Sequence, residues 1–319
     1  MARPALKDAR PSEAEGGGGS VGCCGGCARV NSPHASNRRM AKINVGTHVS
    51  IAGSLDQAIP RAAEIGCTTF QIFTRNPRGW ASSPIPQEVR EAFAEGLRRT
   101  GLYPAVDHMP YLPNLASPTP AVYEKSVATL KAELLRCDSL GIPYLVTHLG
   151  SHLGTGINAG RDRVAAALNE ALALKAGCMV LLENTAGQRN SLGTTFGDLL
   201  AIIERSDSPG RIGVCLDTCH AFVAGYDVRS HFGEVLDELD SAVGIERLKV
   251  VHLNDAVGGL GSHLDRHYHI GLGEIGEDGF RSILADERIH PLPLIMETPI
   301  DERRDDRGNI AKVRELASH

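Results

Sequence analysis

From residue 43 onward, short apolar runs rich in β-branched side chains alternate with stretches whose apolar positions recur at helical spacing. The unit is a run, a polar loop, an amphipathic stretch, a glycine suited to a left-handed helix end, and then the next run. The glycines in question are Gly66, Gly101, Gly141 and Gly177. The pattern predicts eight strands, at residues 43–48, 68–74, 103–108, 143–148, 179–183, 211–217, 248–252 and 291–297, with helices between them. Eight alternating β/α units in roughly 280 residues suit a closed (β/α)8 TIM barrel in a single α/β domain. A doubly wound open sheet is the alternative, but it gathers its site at one switch point, and no glycine-rich phosphate loop follows the first run.

Six successive runs close on a side chain of metal-ligand type: His108, His148, Glu183, Asp217, His252 and Glu297. One such residue at a strand end is ordinarily a cap or a hydrogen-bonding partner, whereas six in a row are hard to obtain from packing needs alone. In a barrel every C-terminal strand end opens on one mouth, so these residues, distant in sequence, are expected to meet. Glu183 follows the apolar pair Leu181-Leu182, and a carboxylate buried there without a partner would be costly. Asp217 and His220 stand at a strand end and one turn beyond, a spacing that suits adjacent ions. Asp265 and His267 are two apart, on the same side of an extended segment, which suits one ion.

The resulting set is five histidines and four carboxylates: His108, His148, His220, His252, His267, Glu183, Asp217, Asp265 and Glu297. It exceeds the three or four ligands of one zinc and suits two or three ions with a bridging carboxylate. Imidazole and carboxylate without thiolate suit zinc, manganese or iron, and the high share of histidine favours zinc. His152 is expected to support His148, His48 to line the cavity floor outside the ligand set, and His269 to be a neighbour. His34, His231, His263, His290 and His319 have no motif around them and read as surface residues.

The formal net charge of -5 argues against a uniformly basic face for nucleic acid, yet three divalent ions would outweigh four carboxylates and draw a phosphate into the mouth. Cations a few ångströms apart can activate water and stabilise both oxygens of a phosphodiester displacement. No apolar run is long enough to span a membrane and no secretory signal is visible, so the expected address is the cytoplasm. Residues 1–39, with their glycine run and no periodicity, read as a disordered low-complexity extension, and Met40 as the natural start of the folded domain, residues 40–319. Cys23, Cys24 and Cys27 lack a second pair at finger spacing, and most of the eight cysteines read as buried reduced thiols.

Five segments resemble the endonuclease IV family of apurinic/apyrimidinic (AP) endonucleases, which have a xylose-isomerase-like TIM barrel. They are Gly46-Thr47-His48-Val49-Ser50, Leu182-Glu183-Asn184-Thr185-Ala186-Gly187, Cys215-Leu216-Asp217-Thr218-Cys219-His220-Ala221-Phe222, His252-Leu253-Asn254-Asp255-Ala256 and Asp265-Arg266-His267. The resemblance implies a deoxyribonuclease IV (phage-T4-induced)-type phosphodiester hydrolase of base excision repair, cutting double-stranded DNA on the 5′ side of abasic sites. It leaves 3′-hydroxyl and 5′-deoxyribose phosphate ends. It also implies three Zn2+ per chain, with Mn2+ admissible at one position, and a monomer. Carried over by motif, His108, His148 and Glu183 would hold the first ion. Glu183 would bridge to the second, held also by Asp217, His252 and Glu297, while His220, Asp265 and His267 would hold the third. The nucleophile would be a metal-bridging hydroxide, with no covalent protein intermediate. Arg78, Tyr111 and Leu112 would press into the DNA at the lesion, where a missing base lowers the cost of opening the duplex. The sequence departs from the bacterial pattern at His108-Met109-Pro110-Tyr111, where small polar residues usually stand between the histidine and the tyrosine. Two rival readings remain at this level: a metal-dependent sugar isomerase or epimerase on the same barrel, for which the third ligand set is superfluous, and a catalytically silent lesion-binding module, which would not need all nine ligands.

Overall fold

The computed structural model describes residues 43–318. The expectations for the N-terminal extension, for Cys23, Cys24 and Cys27, for Met40, and for His34 and His319 fall outside that range.

Each of the eight predicted runs contains a strand, trimmed by up to a few residues at its ends. They are β1 (Asn44–Thr47), β2 (Phe70–Ile72), β3 (Ala105–His108), β4 (Tyr144–Thr147), β5 (Met179–Glu183), β6 (Ile212–Asp217), β7 (Leu248–His252) and, last in the chain, β10 (Pro293–Met296). These eight pair in parallel in the order β1-β10-β7-β6-β5-β4-β3-β2. A parallel bridge from His48 to Gln71 joins the two ends, with the Val49 N–H donating to the Gln71 carbonyl at 2.7 Å. The sheet therefore closes, which excludes the open-sheet alternative. Gly46 makes that closure possible, because a Cβ there would lie 1.7 Å from the Thr69 carbonyl oxygen.

The helices are α1 (Ala58–Ile65), α2 (Gln87–Thr100), α3 (Pro120–Leu140), α4 (Ile157–Leu172), α5 (Phe196–Ile203), α6 (Thr218–Ala224), α7 (Phe232–Val243), α8 (Gly276–Ala285) and α9 (Asp306–Leu316). Gly66, Gly101 and Gly141 end α1, α2 and α3 with φ of +89°, +70° and +69°, as the spacing predicts. Gly177 is a correction. Helix α4 stops at Leu172 and is capped by right-handed Ala173, and the Gly177 N–H is instead used by the Asp138 carboxylate at 2.8 Å. A short antiparallel ribbon that the hydrophobic pattern does not announce, β8 (Asp255–Ala256) with β9 (His267–Tyr268), rises after β7.

Strand side chains alternate between two cores. One face of each strand packs on the helices in the large outer core, exemplified by Phe70 against Phe93 of α2. The other points into the barrel, where Val106, Val146, Leu181, Cys215, Val250 and Ile295 form a separate apolar cluster with one residue from each of six strands. Two positions further along, the same inward face carries His108, His148, Glu183, Asp217, His252 and Glu297. The metal-ligand types thus form the layer directly above an apolar plug, at the C-terminal mouth. Cys67, Cys137, Cys178, Cys215 and Cys219 are buried free thiols. No helix among the described residues is long and apolar enough to cross a membrane.

Candidate metal centre

All nine predicted ligands meet at the mouth, in overlapping groups whose donor atoms lie within 4.8 Å of one another. His108, His148 and Glu183 make one group, Glu183, Asp217, His252 and Glu297 a second, and His220, Asp265 and His267 a third. The cavity over them has a volume of ≈ 580 Å³ and is walled by His48, Phe73, Pro110, Tyr111 and Ile300 among others.

Glu183, fully buried, turns its two oxygens to different groups. Oε2 stands 3.3 Å from Nε2 of His108 and 3.3 Å from Nε2 of His148, while Oε1 stands 2.9 Å from Nδ1 of His252. Asp217 divides itself likewise. Its Oδ1 caps α6 by accepting the His220 N–H at 2.7 Å. Its Oδ2 accepts from Asn254 Nδ2 at 2.7 Å and lies 3.5 Å from His267 Nε2. The His220 ring lies between the groups, its Nδ1 3.5 Å from Glu183 Oε1 and its Nε2 3.1 Å from Asp265 Oδ1 and 3.4 Å from His267 Nε2. The expectation that Asp217 and His220 serve adjacent positions follows from this local geometry.

Four of the five imidazoles spend one ring nitrogen outside the cluster. Nδ1 of His108 contacts the Met109 carbonyl at 2.7 Å, Nδ1 of His220 the Asn184 carbonyl at 3.0 Å, and Nδ1 of His267 the Glu297 carbonyl at 3.3 Å. Nε2 of His252 contacts the Gln71 amide oxygen at 2.8 Å. With the N–H placed on those atoms, each ring turns its lone pair into the cluster, which is how histidines that hold metals are usually oriented. Donors around a tetrahedral ion at about 2.0–2.1 Å lie about 3.3 Å apart, close to the separations found here. Donor chemistry, spacing and ring orientation all fit divalent cations.

The electrostatics have the same sense. Burial works to raise the Glu183 carboxyl, but His148, His252 and His108 outweigh it and hold it well below the usual carboxylate range. Glu297 is likewise held low against burial by His252, His48 and His108. Burial lowers His220, yet Asp217, Asp265 and Glu183 carry it up to about 10. The hydrogen bond from His220 brings Asp265 down to about 2. Without cations the pocket would fill with protons, a sign of strong attraction for positive charge.

The remaining sequence expectations divide. His48 does line the cavity, 3.7 Å from Glu297, and stays outside the three groups. His269 is a buried neighbour bonded to Asp301 at 2.9 Å. His152 does not support His148: its Nδ1 accepts the N–H groups of Gly154 and Gly156 at 3.2 Å and orders its own loop. Tyr111 lines the cavity and, like Arg78 and Leu112, is exposed, and the Tyr111 N–H donates to the Pro77 carbonyl at 3.2 Å, tying their two loops together. In the unusual His108-Met109-Pro110-Tyr111 segment Met109 is buried and its carbonyl holds His108 Nδ1 at 2.7 Å. Two neighbours went unremarked in the sequence. Cys219 lies within reach of Asp217 and His267, but burial and the adjacent carboxylates push its thiol up, leaving it a poor cation donor. Gln71, on β2, touches three of the site's side chains.

A family model described as the xylose isomerase-like TIM barrel matches residues 59–317. Probable endonuclease 4 of Methanoculleus marisnigri is 59% identical over 277 residues, covering 86% of this chain and 98% of that protein. Probable endonuclease 4 of Cenarchaeum symbiosum is 50% identical over 279 residues, covering 86% and 100%. The crystal structure of endonuclease IV from Thermus thermophilus aligns with a TM-score of 0.78 and 39% identity, covering 86% of this chain and 99% of that chain. A D-tagatose 3-epimerase-like protein aligns at a TM-score of 0.65 and 21% identity, covering 86% and 96%, a likeness of fold alone.

Proposed function

The chain belongs to the endonuclease IV family, and we propose that it is a zinc-dependent AP endonuclease cutting double-stranded DNA on the 5′ side of abasic sites, acting as a cytoplasmic monomer through its barrel domain, residues 40–319. The observation that carries this reading is the convergence of nine donors into three adjoining groups, with Glu183 common to two of them. His108, His148 and Glu183 would hold one Zn2+, Glu183, Asp217, His252 and Glu297 a second, and His220, Asp265 and His267 a third, where Mn2+ could replace zinc at one position. Bound there, the cations supply Lewis acidity and a water made acidic enough to attack phosphorus near neutral pH.

The chain's own side chains do the rest. The carboxylates would fix the cation spacing, and once cations have displaced the protons the N–H anchors keep the imidazoles oriented, so that no reorganisation is needed when substrate arrives. The cavity would admit a sugar-phosphate swung out of the duplex, and Tyr111 in its wall, with the exposed Arg78 and Leu112, would fill the space left by the missing base. An unmodified base must be unstacked first, which costs a few kcal/mol more and supplies part of the selectivity. Products would be a 3′-hydroxyl and a 5′-deoxyribose phosphate.

The test is incubation of the purified, zinc-loaded protein with a duplex carrying one tetrahydrofuran abasic analogue. Incision immediately 5′ of the analogue, abolished by chelator and restored by Zn2+, is the expected result. Tight binding without a cut would indicate a silent lesion-binding module, and neither binding nor cutting would return the sugar isomerase or epimerase to first place.

A further inference from the structure

Seen from inside the barrel, β2 breaks a rule that six other strands obey. At the level of the apolar plug those strands place Val106, Val146, Leu181, Cys215, Val250 and Ile295, whereas β2 places Gln71, in register with Val106 and fully buried. A buried primary amide needs partners for its donors and its acceptor. Here they all belong to the site. Gln71 Oε1 stands 2.8 Å from His252 Nε2, while Nε2 donates to Glu297 Oε1 at 2.6 Å and lies 3.0 Å from His48 Nδ1.

These contacts tie Gln71 to two of the four members of the second group. An amide oxygen can only accept, so its bond requires the His252 proton on Nε2 and leaves the Nδ1 lone pair facing Glu183 Oε1 at 2.9 Å. An amide N–H can only donate, so it occupies one oxygen of Glu297 and leaves Oε2 toward His252 Nδ1, at 3.6 Å. The same side chain thus sets the tautomer of one donor and the single-oxygen presentation of another. The Glu297 N–H is meanwhile fixed by Asn254 Oδ1 at 2.7 Å, so the carboxylate is steered from both its backbone and its far oxygen.

We propose that Gln71 is the positioning residue of the second cation site, selecting the His252 tautomer and holding Glu297 to one-oxygen coordination. This assignment rests on the zinc-dependent reading given above. Its reach is local, because neither the first group's His108 and His148 nor the third group's His220, Asp265 and His267 touches the amide.

The experiment compares wild type with Gln71→Leu, which keeps bulk but removes both polar contacts, and Gln71→Glu, which keeps the acceptor toward His252 and replaces the donor with a charge opposing Glu297. Each protein is loaded with Zn2+ and titrated with a chelator while bound zinc per chain is measured. Loss of an oriented outer partner typically weakens metal affinity 10- to 100-fold. The expected result is that one zinc per chain leaves both variants at a chelator concentration at least 10-fold lower than in wild type, the other two zincs being retained. The kcat for the abasic duplex should fall with the lost zinc while KM stays within about two-fold, because the rim residues are untouched. If the leucine variant does not fold, the glutamate variant decides alone. Full zinc in wild type with unchanged or tighter retention in the folded variants overturns the role of Gln71 and leaves the enzyme reading standing. A wild type that binds no zinc overturns both.

Discussion

Replacing Glu183 by glutamine keeps the shape of the side chain and removes its charge, at the carboxylate that the first and second groups share. Its Oε2 is equidistant, at 3.3 Å, from His108 and His148, and its Oε1 is 2.9 Å from His252. The first group would fall from three anionic or imidazole donors to two, and the second from four to three. Four-ligand structural zinc sites bind with about 10–16 kcal/mol, or roughly 3–4 kcal/mol per ligand, equivalent to two or three powers of ten in affinity. A pair of histidines alone should then fail to retain zinc through gel filtration, while the third group, which lacks Glu183, should keep its ion. The expected measurements are a drop of at least one zinc per chain by elemental analysis and a loss of about a thousandfold or more in kcat/KM on a tetrahydrofuran duplex. Folding should persist, since the apolar plug beneath is unchanged, and circular dichroism in chelator should match wild type. A Glu183→Gln protein with full zinc and near-native incision would refute the bridging argument outright.

Asp265→Asn should remove one zinc per chain and leave the other groups loaded, because its carboxylate contacts run to His220 and His267; elemental analysis showing an unchanged count would exclude the third group as a site. Leu112→Ala and Tyr111→Ala should leave zinc content intact and raise KM for the lesion duplex several-fold, checked by steady-state incision kinetics. Glu133→Ala should destabilise the fold by about 3–5 kcal/mol in urea denaturation, because it strands the buried Arg75 guanidinium that anchors the loop bearing Arg78; a change under about 1 kcal/mol would show the pair to be dispensable. In the metal-free protein His220 is raised to about 10, so it stays protonated in the fold after it would have discharged in the unfolded chain. Its stabilising contribution is complete below about pH 6.5 and is lost at about 1.4 kcal/mol per pH unit as pH climbs toward 10. Thermal melts in chelator should therefore fall between pH 6.5 and 9, whereas the gain in Tm on adding Zn2+ should grow over the same range, since cations replace those protons.

Most of the barrel and six of the nine candidate donors were legible because both rest on the period of two along a strand, whereas His220 showed only as the position one turn after Asp217, and Asp265 and His267 only as a pair two residues apart. Wherever one inward residue is apolar and the next inward residue is ionisable, as in Val106 and His108 or Ile295 and Glu297, the sequence states both the plug and the site above it. Elements lying outside that periodicity were harder to read. Gly177 looked like a helix end by spacing, but α4 stops five residues earlier, and nothing in the local sequence distinguishes a glycine used for its N–H from one used for its φ. The ribbon of β8 and β9 is two residues wide and held by one pair of registers, too short to leave a pattern, although it carries His267. Gln71 escaped because an amide amid Phe70 and Ile72 offers no ligand chemistry of its own; only closure of the barrel between β1 and β2 brings it against His252 and Glu297.

The overall charge of -5 gains its meaning from the same geometry. Four carboxylates at the mouth of an acidic protein would repel a phosphodiester, and the low-dielectric plug below would strengthen that repulsion rather than screen it. In the metal-free protein, protons held by the imidazoles, His220 among them, offset part of that charge without reversing it. On the proposed reading the cations reverse the sign of the mouth, so attraction of the DNA backbone and hydrolysis of the phosphodiester draw on one set of ions. The side chains proposed to meet the lesion can then be few, Tyr111 and Leu112 beside the single cation Arg78, because the long-range pull on phosphate comes from the centre of the barrel and they have only to recognise the gap in the stack.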